Sequence, residues 1–143
     1  MKKGFTCSCF DLLHAGHILM LEDAKSQCDK LIVGLQTDPS IDRPLTKNKP
    51  IQTLEERRIQ LEAVRYVDKI FEYTTEEELY KKLLDIKPDV RILGSDYIGK
   101  SFTGDDLDIK IYYHDRKHNY STTNLREKIE RQVVSYQSVR SIH

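Results

Sequence analysis

The chain has 143 residues, with 23 Lys plus Arg against 23 Asp plus Glu, and it is 38% hydrophobic and 32% charged. That length suits one domain with a real core, since domains typically run ~100–150 residues, and the composition excludes disordered, collagen-like and coiled-coil classes. Zero net charge removes the overall field that would recruit nucleic acid or an anionic membrane, and no apolar run approaches the ~20 residues of a membrane span.

The first residues, "MKKGFTCSCFDLL", start positive like a secretory signal, but Thr6, Ser8 and Asp11 interrupt the apolar run. Three cysteines, Cys7, Cys9 and Cys28, are an odd number without framework spacing, which suits packing residues in a reducing cytoplasm. "GFTCSCF" predicts a strand ending near Phe10, and a helix is expected from about Ala15, with Ile18, Leu21 and Ala24 at helical spacing. "KLIVGL" follows as a second buried strand, which completes a right-handed βαβ unit with parallel strands.

Residues 38–52 carry three of the chain's four prolines and read as a long loop. Thr53 to Glu56 spells a capping box ahead of "LEERRIQLE", and Thr75 to Glu78 spells another ahead of Leu79, Leu83 and Ile86, where Pro88 closes the helix. Arg65 and Asp68, at i and i+3, are spaced for a helix-end ion pair. "KIFEY", "VRILG" and "IKIYYH" are strand-like, residues 97–108 form a second long loop, and "STTNLREKIERQ" opens a final helix. Five strands with intervening helices predict a single doubly wound, Rossmann-like α/β domain with a five-stranded parallel sheet over residues 1–131. Residues 132–143 are left as a C-terminal tail without assigned structure.

Ligands of such sheets bind at the carboxyl ends of the strands, where "FDLLHAGH" falls. His14 and His17, one turn apart, admit three readings: a metal clip, two polar surface histidines, or a cradle for a phosphate chain. Zinc needs three or four ligands; Asp11, Cys7 or Cys9 could be recruited, but no CxxC pair or third histidine at ligand spacing accompanies them. A helix start supplies free N–H groups and the positive end of the dipole, and Gly16 lets a ligand approach the backbone. A second constellation of the same chemistry lies in "HDRKHNYSTTNLR": Arg116 and Lys117 as anion partners, and Ser121, Thr122 and Thr123 as donors at a helix start. Alone it is a basic loop with an ordinary N-cap, but both constellations follow predicted strands and can close on one triphosphate.

On "CFDLLHAGH", "VRYVD" (Val64 to Asp68), "GSDYIGK" (Gly94 to Lys100) and Arg116 followed by Ser121 to Thr123, the chain resembles the cytidylyltransferase family of the HxGH nucleotidyltransferase superfamily from Lys2 to about Glu130. Within it the bacterial glycerol-3-phosphate cytidylyltransferases are most alike. The resemblance implies in-line attack of a phosphorylated alcohol or sugar, with glycerol 3-phosphate the first choice, on the α-phosphorus of CTP, yielding CDP-glycerol and pyrophosphate. Mg2+ would come with CTP, and no metal-ligating residue is implied. It also implies a homodimer, with Arg65 and Asp68 as part of the family's dimer contact the alternative to their ion pair.

By the same resemblance His14, His17, Arg116, Lys47 and Lys49 are catalytic. Cys9, Phe10, Asp11, Gly16, Asp96, Ser121, Thr122 and Thr123 bind nucleotide, and Asp38, Lys47 and Arg57 bind the acceptor. The chain departs from the pattern at Ser8, where the family has glycine, at Lys117 to Tyr120, and at Leu79, where glycerol-phosphate enzymes have an acceptor lysine. An adenylyltransferase of the same fold, of the ADP-heptose or FAD-synthetase type, and a CTP-binding protein without turnover are the alternatives.

Overall fold

The computed structural model describes residues 1–116 and 120–142, with side chains to residue 135. Strands β1 (Lys3–Ser8), β2 (Lys30–Gln36), β3 (Lys69–Tyr73), β4 (Val90–Gly94) and β5 (Lys110–His114) form one sheet in the order β3-β2-β1-β4-β5. Every neighbouring pair is parallel. The order reverses at β1, which pairs with β2 on one side and β4 on the other, and this switch point is where a doubly wound sheet leaves a crevice.

Side chains of β2 alternate between two cores, as the period of two requires. Leu31, Val33 and Leu35 join Leu21 and Ala24 of α1 (Ala15–Ser26) and Leu61 of α3 (Leu54–Glu62). Ile32 turns to the opposite face, where Phe5 meets Leu79 and Leu83 of α4 (Glu76–Ile86). Burying each of the larger of these side chains contributes ~1.5–3 kcal/mol, so the two clusters fix which helix covers which face.

The capping box at α3 is complete: Thr53 Oγ1 accepts from the Glu56 N–H at 3.1 Å, and Glu56 Oε1 accepts from the Thr53 N–H at 3.0 Å. At α4 the box is displaced by one residue. Thr75 Oγ1 accepts from the Glu78 N–H, but the Glu78 carboxylate accepts from the Thr74 N–H. Lys87 then takes a left-handed conformation (φ 52°) and Pro88 prevents continuation.

Four expectations are corrected. β1 stops at Ser8 rather than near Phe10, because Phe10 (φ 48°) and Leu12 (φ 51°) adopt left-handed conformations incompatible with a strand. The 38–52 segment contains α2 (Pro39–Asp42), with Asp38 as its cap and Pro39 at its first position. The final helix, α5 (Thr122–Ile142), runs unbroken across residue 131, so the expected tail is its second half. Asp68 pairs with Lys25 at 2.5 Å and accepts from the Leu31 N–H, while Arg65 donates to the Tyr66 hydroxyl, so the Arg65–Asp68 ion pair does not form. Among the described residues no helix is long and apolar enough to cross a membrane.

Candidate active site

A cleft of about 700 Å³ opens at the carboxyl ends of β1, β4 and β5. His14 caps α1: its Nδ1 accepts from the Gly16 N–H at 3.0 Å, while His17 Nδ1 accepts from the His14 N–H at 3.2 Å. This is the reciprocal logic of a capping box carried by two imidazoles. With Nδ1 accepting, the proton of each neutral ring sits on Nε2, which becomes a donor. The rings lie 3.9 Å apart at 31°, and His17 also packs on Phe10 at 5.4 Å. Burial first, then the neighbouring His14 and Arg116, lower the His17 pKa from 6.5 to about 3, so at neutral pH the ring is an uncharged donor.

Gly16 is required by packing as well as by any ligand. A Cβ there would stand 2.8 Å from His14 Cε1 and 2.9 Å from the Tyr120 carbonyl. The segment before α5 therefore rests directly on the start of α1. Ser121 Oγ accepts from the Asn124 N–H at 3.0 Å, and Thr122 Oγ1 donates to the Asp11 carbonyl at 3.1 Å. The Arg116 guanidinium reaches the Tyr120 carbonyl at 3.4 Å and Asp96 Oδ1 at 3.9 Å.

The structure thus brings both sequence constellations to one cleft: His14, Gly16 and His17 line it together with Arg116, Ser121 and Thr122. Cys9, Asp96 and Lys47 line it too, Lys47 from an otherwise exposed loop. Lys117 lies outside the described residues.

Other expected ligands of substrate are held by contacts within the protein. Asp11 is 1% exposed, and its carboxylate accepts from the Ile51 and Gln52 N–H groups and from Arg126. Arg57 is 2% exposed and donates to the carbonyls of Cys9, Gln36, Thr37 and Gln52, which ties the ends of β1 and β2 to α3. Phe10 is buried against His17, and Asp38 caps α2 through Ser40. Lys49 and Thr123 are exposed and outside the cleft lining.

Sequence reasoning missed Arg126 and Arg91. The first had no local signal; the second was visible as one charge inside the apolar strand "VRILG".

The cleft is suited to holding a polyanion rather than to covalent catalysis. Two imidazoles, of which His17 is an uncharged donor, a guanidinium and a helix N-terminus face it, whereas burial pushes up the pKa of the lining Cys7 thiol, away from the nucleophilic thiolate. Among the described residues no three His, Cys, Asp or Glu side chains gather as a metal site, so the imidazole pair meets no third ligand there.

The family model described as cytidylyltransferase-like matches residues 5–128. The chain belongs to the cytidylyltransferase-like family. This cytidylyltransferase-like domain is similar to bifunctional protein HldE of Caulobacter vibrioides, 39% identical over 131 residues, covering 87% of this chain and 26% of that protein. It is also similar to bifunctional protein HldE of Helicobacter hepaticus, 37% identical over 133 residues, covering 93% of this chain and 27% of that one. The domain therefore spans about a quarter of the length of those relatives.

Among solved structures it is similar to a lipopolysaccharide core biosynthesis protein from Thermoplasma volcanium, with a TM-score of 0.64, 28% identity, and 78% of this chain and 93% of that one covered. It shares its fold with a pantoate-beta-alanine ligase from Francisella tularensis, with a TM-score of 0.55 and 22% identity over 87% of this chain and 67% of that one.

Proposed function

We propose that this cytidylyltransferase-like domain transfers a nucleoside monophosphate from a nucleoside triphosphate to a phosphorylated sugar or alcohol. An oxygen of the acceptor phosphate attacks the α-phosphorus, the bond to the β-phosphate oxygen breaks, and pyrophosphate leaves. The observation that carries this reading is the shared cleft of the His14–His17 pair and the Arg116–Ser121–Thr122 segment. The Nε2–H donors and the guanidinium would stabilise charge on the triphosphate as the bond breaks, with positioning supplying the rest. Mg2+ would ride on phosphate oxygens and water. Lys47, at the mouth, would meet the same phosphates, and Lys49 and Asp38 would act through the loop that carries it.

ATP is the donor favoured here, and a sugar phosphate the acceptor. The similarity to bifunctional HldE proteins supports the adenylyltransferase alternative of the ADP-heptose type over CDP-glycerol synthesis. "GSDY" leans the same way, and Leu79 stands where glycerol-phosphate enzymes carry an acceptor lysine. Cytidylyl transfer is the second reading, favoured by Arg116 ahead of the Ser-Thr-Thr helix start. A homodimer is expected from the family resemblance, and a cytoplasmic setting from three cysteines without disulfide-framework spacing.

Pyrophosphate release measured over four nucleoside triphosphates and a set of phosphorylated sugars and alcohols tests the proposal. Faster turnover with ATP is expected. Faster turnover with CTP selects the second reading, and saturable nucleotide binding with no product from any acceptor overturns both.

A further inference from the structure

Arg91 is the one residue of β4 whose chemistry does not match its place. It sits between Val90 and Ile92 in the sheet and is 3% exposed. Its guanidinium lies 5.7 Å from the Phe5 ring and 4.9 Å from the Phe102 ring. Phe5 belongs to the core under α4, whereas Ile92 belongs to the core under α1, so Arg91 reaches the cleft from the side opposite the histidines.

Two other buried charges among the described residues have strong acceptors or a counter-charge. Arg57 has four carbonyls and Asp11 has Arg126. Arg91 donates from one terminal nitrogen to the Thr103 carbonyl and from the other, at 3.9 Å, to the Cys7 sulfur, a weak acceptor. Its Nε is buried with no hydrogen-bond partner among the described residues, none of which gives it an ion pair.

The neighbours do not supply the missing charge. Burial raises the pKa of both Cys7 and Tyr73, so both stay protonated. Glu76 is engaged by Arg43 at 3.5 Å and by the Thr103 hydroxyl at 2.7 Å. An unmatched guanidinium between apolar rings is costly unless an oxyanion completes it.

We propose that Arg91 forms an oxyanion subsite for the acceptor substrate on the α4 side of the cleft, facing the nucleotide held at the histidine pair. The inference rests on the nucleotidyl-transfer reading for the word acceptor, but the anion site itself does not. A phosphate ester there would receive the remaining terminal N–H donors as charge-assisted hydrogen bonds, with Tyr73 and Thr103 on the same wall. Entering from α4, the acceptor would meet the triphosphate at the strand ends rather than compete for the Arg116 side.

The test reads the arginine Nε–H resonances of the full chain by nuclear magnetic resonance, with the Arg91 signal assigned by triple resonance and checked by its loss in Arg91→Lys. Inorganic phosphate, a set of hexose and heptose phosphates, glycerol 3-phosphate and glucose are titrated separately at saturating nucleoside triphosphate, and phosphate also without nucleotide. Saturable movement of the Arg91 signal with inorganic phosphate and with at least one sugar phosphate, and none with glucose, is expected. An unmoved Arg91 signal with every phosphate overturns the site. Movement with inorganic phosphate but with no phosphorylated sugar or alcohol overturns its assignment to a phosphorylated acceptor.

In turnover, Arg91→Gln is expected to raise KM for the acceptor by about tenfold or more while KM for the nucleotide holds within about twofold. Equal loss for both substrates, or for neither, with the fold retained by circular dichroism, would mean that Arg91 only anchors the 102–105 loop. If no nucleotide is turned over by the wild type, the functional reading fails while the phosphate titration still decides the site.

Discussion

Asp11 and Arg126 are 115 residues apart in sequence and 2.5 Å apart in space. Their contact binds the turn after β1 to the first turns of α5, and the same carboxylate holds the Ile51 and Gln52 N–H groups. One buried acid therefore fixes three chain segments around the cleft. Asp11→Asn should cost about 3 kcal/mol, the scale for breaking a buried pair, read from urea unfolding with the slope unchanged.

The pH dependence of that contribution has a defined sign. Burial pulls the Asp11 pKa upward, but the N–H groups of Gln52 and Ile51 and the Arg126 guanidinium outweigh it and hold the group below its ordinary 3.8. A lowered folded pKa stabilises fully above the unfolded value and is lost as pH falls through the folded one. Unfolding free energy measured from pH 6 to pH 2 should show a drop below about pH 4 in the wild type, and Asp11→Asn should remove that component.

His17 behaves in the opposite part of the scale. Its folded pKa of about 3 lies below the ordinary 6.5, so protonation favours the unfolded chain as pH falls from 6.5 toward 3. Nitrogen chemical shifts of the ring should report the neutral Nε2–H form at pH 7 and still at pH 5; an imidazolium at pH 5 would refute the assignment. His17→Ala should lower turnover ~10²–10³-fold by loss of one donor, and about 1 kcal/mol of stability through the lost cap.

Gly16→Ala inserts a methyl group against the His14 ring and the Tyr120 carbonyl. The ring can turn, but a backbone carbonyl gives way only if the segment before α5 moves. Nucleotide affinity by calorimetry should fall, with a stability loss of about 1–3 kcal/mol typical of overpacking. Wild-type affinity in that variant would show that the two segments need not touch.

Arg57→Lys separates a scaffold from a substrate ligand. The guanidinium satisfies four carbonyls, a geometry that an ammonium cannot reproduce. The expected result is a destabilisation of about 2–3 kcal/mol from carbonyls left unpaired, with both substrate KM values changing together. A rise confined to the acceptor KM would return Arg57 to the substrate.

The sheet was legible because its signals are local. The apolar runs of β2 and β4, the Thr53–Glu56 box and the Thr75 cap each act within a few residues, and each forms close to where the sequence placed it. The two histidines and the Ser121 helix start were legible for the same reason. What a single sequence does not reveal is which long-range partner a polar residue meets. Asp11 and Arg57 have the residue types of ligands, and only the meeting of segments 40 and more positions apart shows that their charge is already satisfied. Phe10 and Leu12 hid the early end of β1, because nothing local warns that bulky residues take a left-handed turn.

The place of β1 in the sheet also governs the order in which the protein can be assembled. Its second neighbour, β4, lies about 86 residues downstream, the separation of the Phe5–Arg91 register pair. During synthesis this strand keeps one backbone edge open until most of the domain has been made, and such edges are sticky templates. An unpaired strand edge during synthesis is thus a burden built into placing the domain's first segment at its middle.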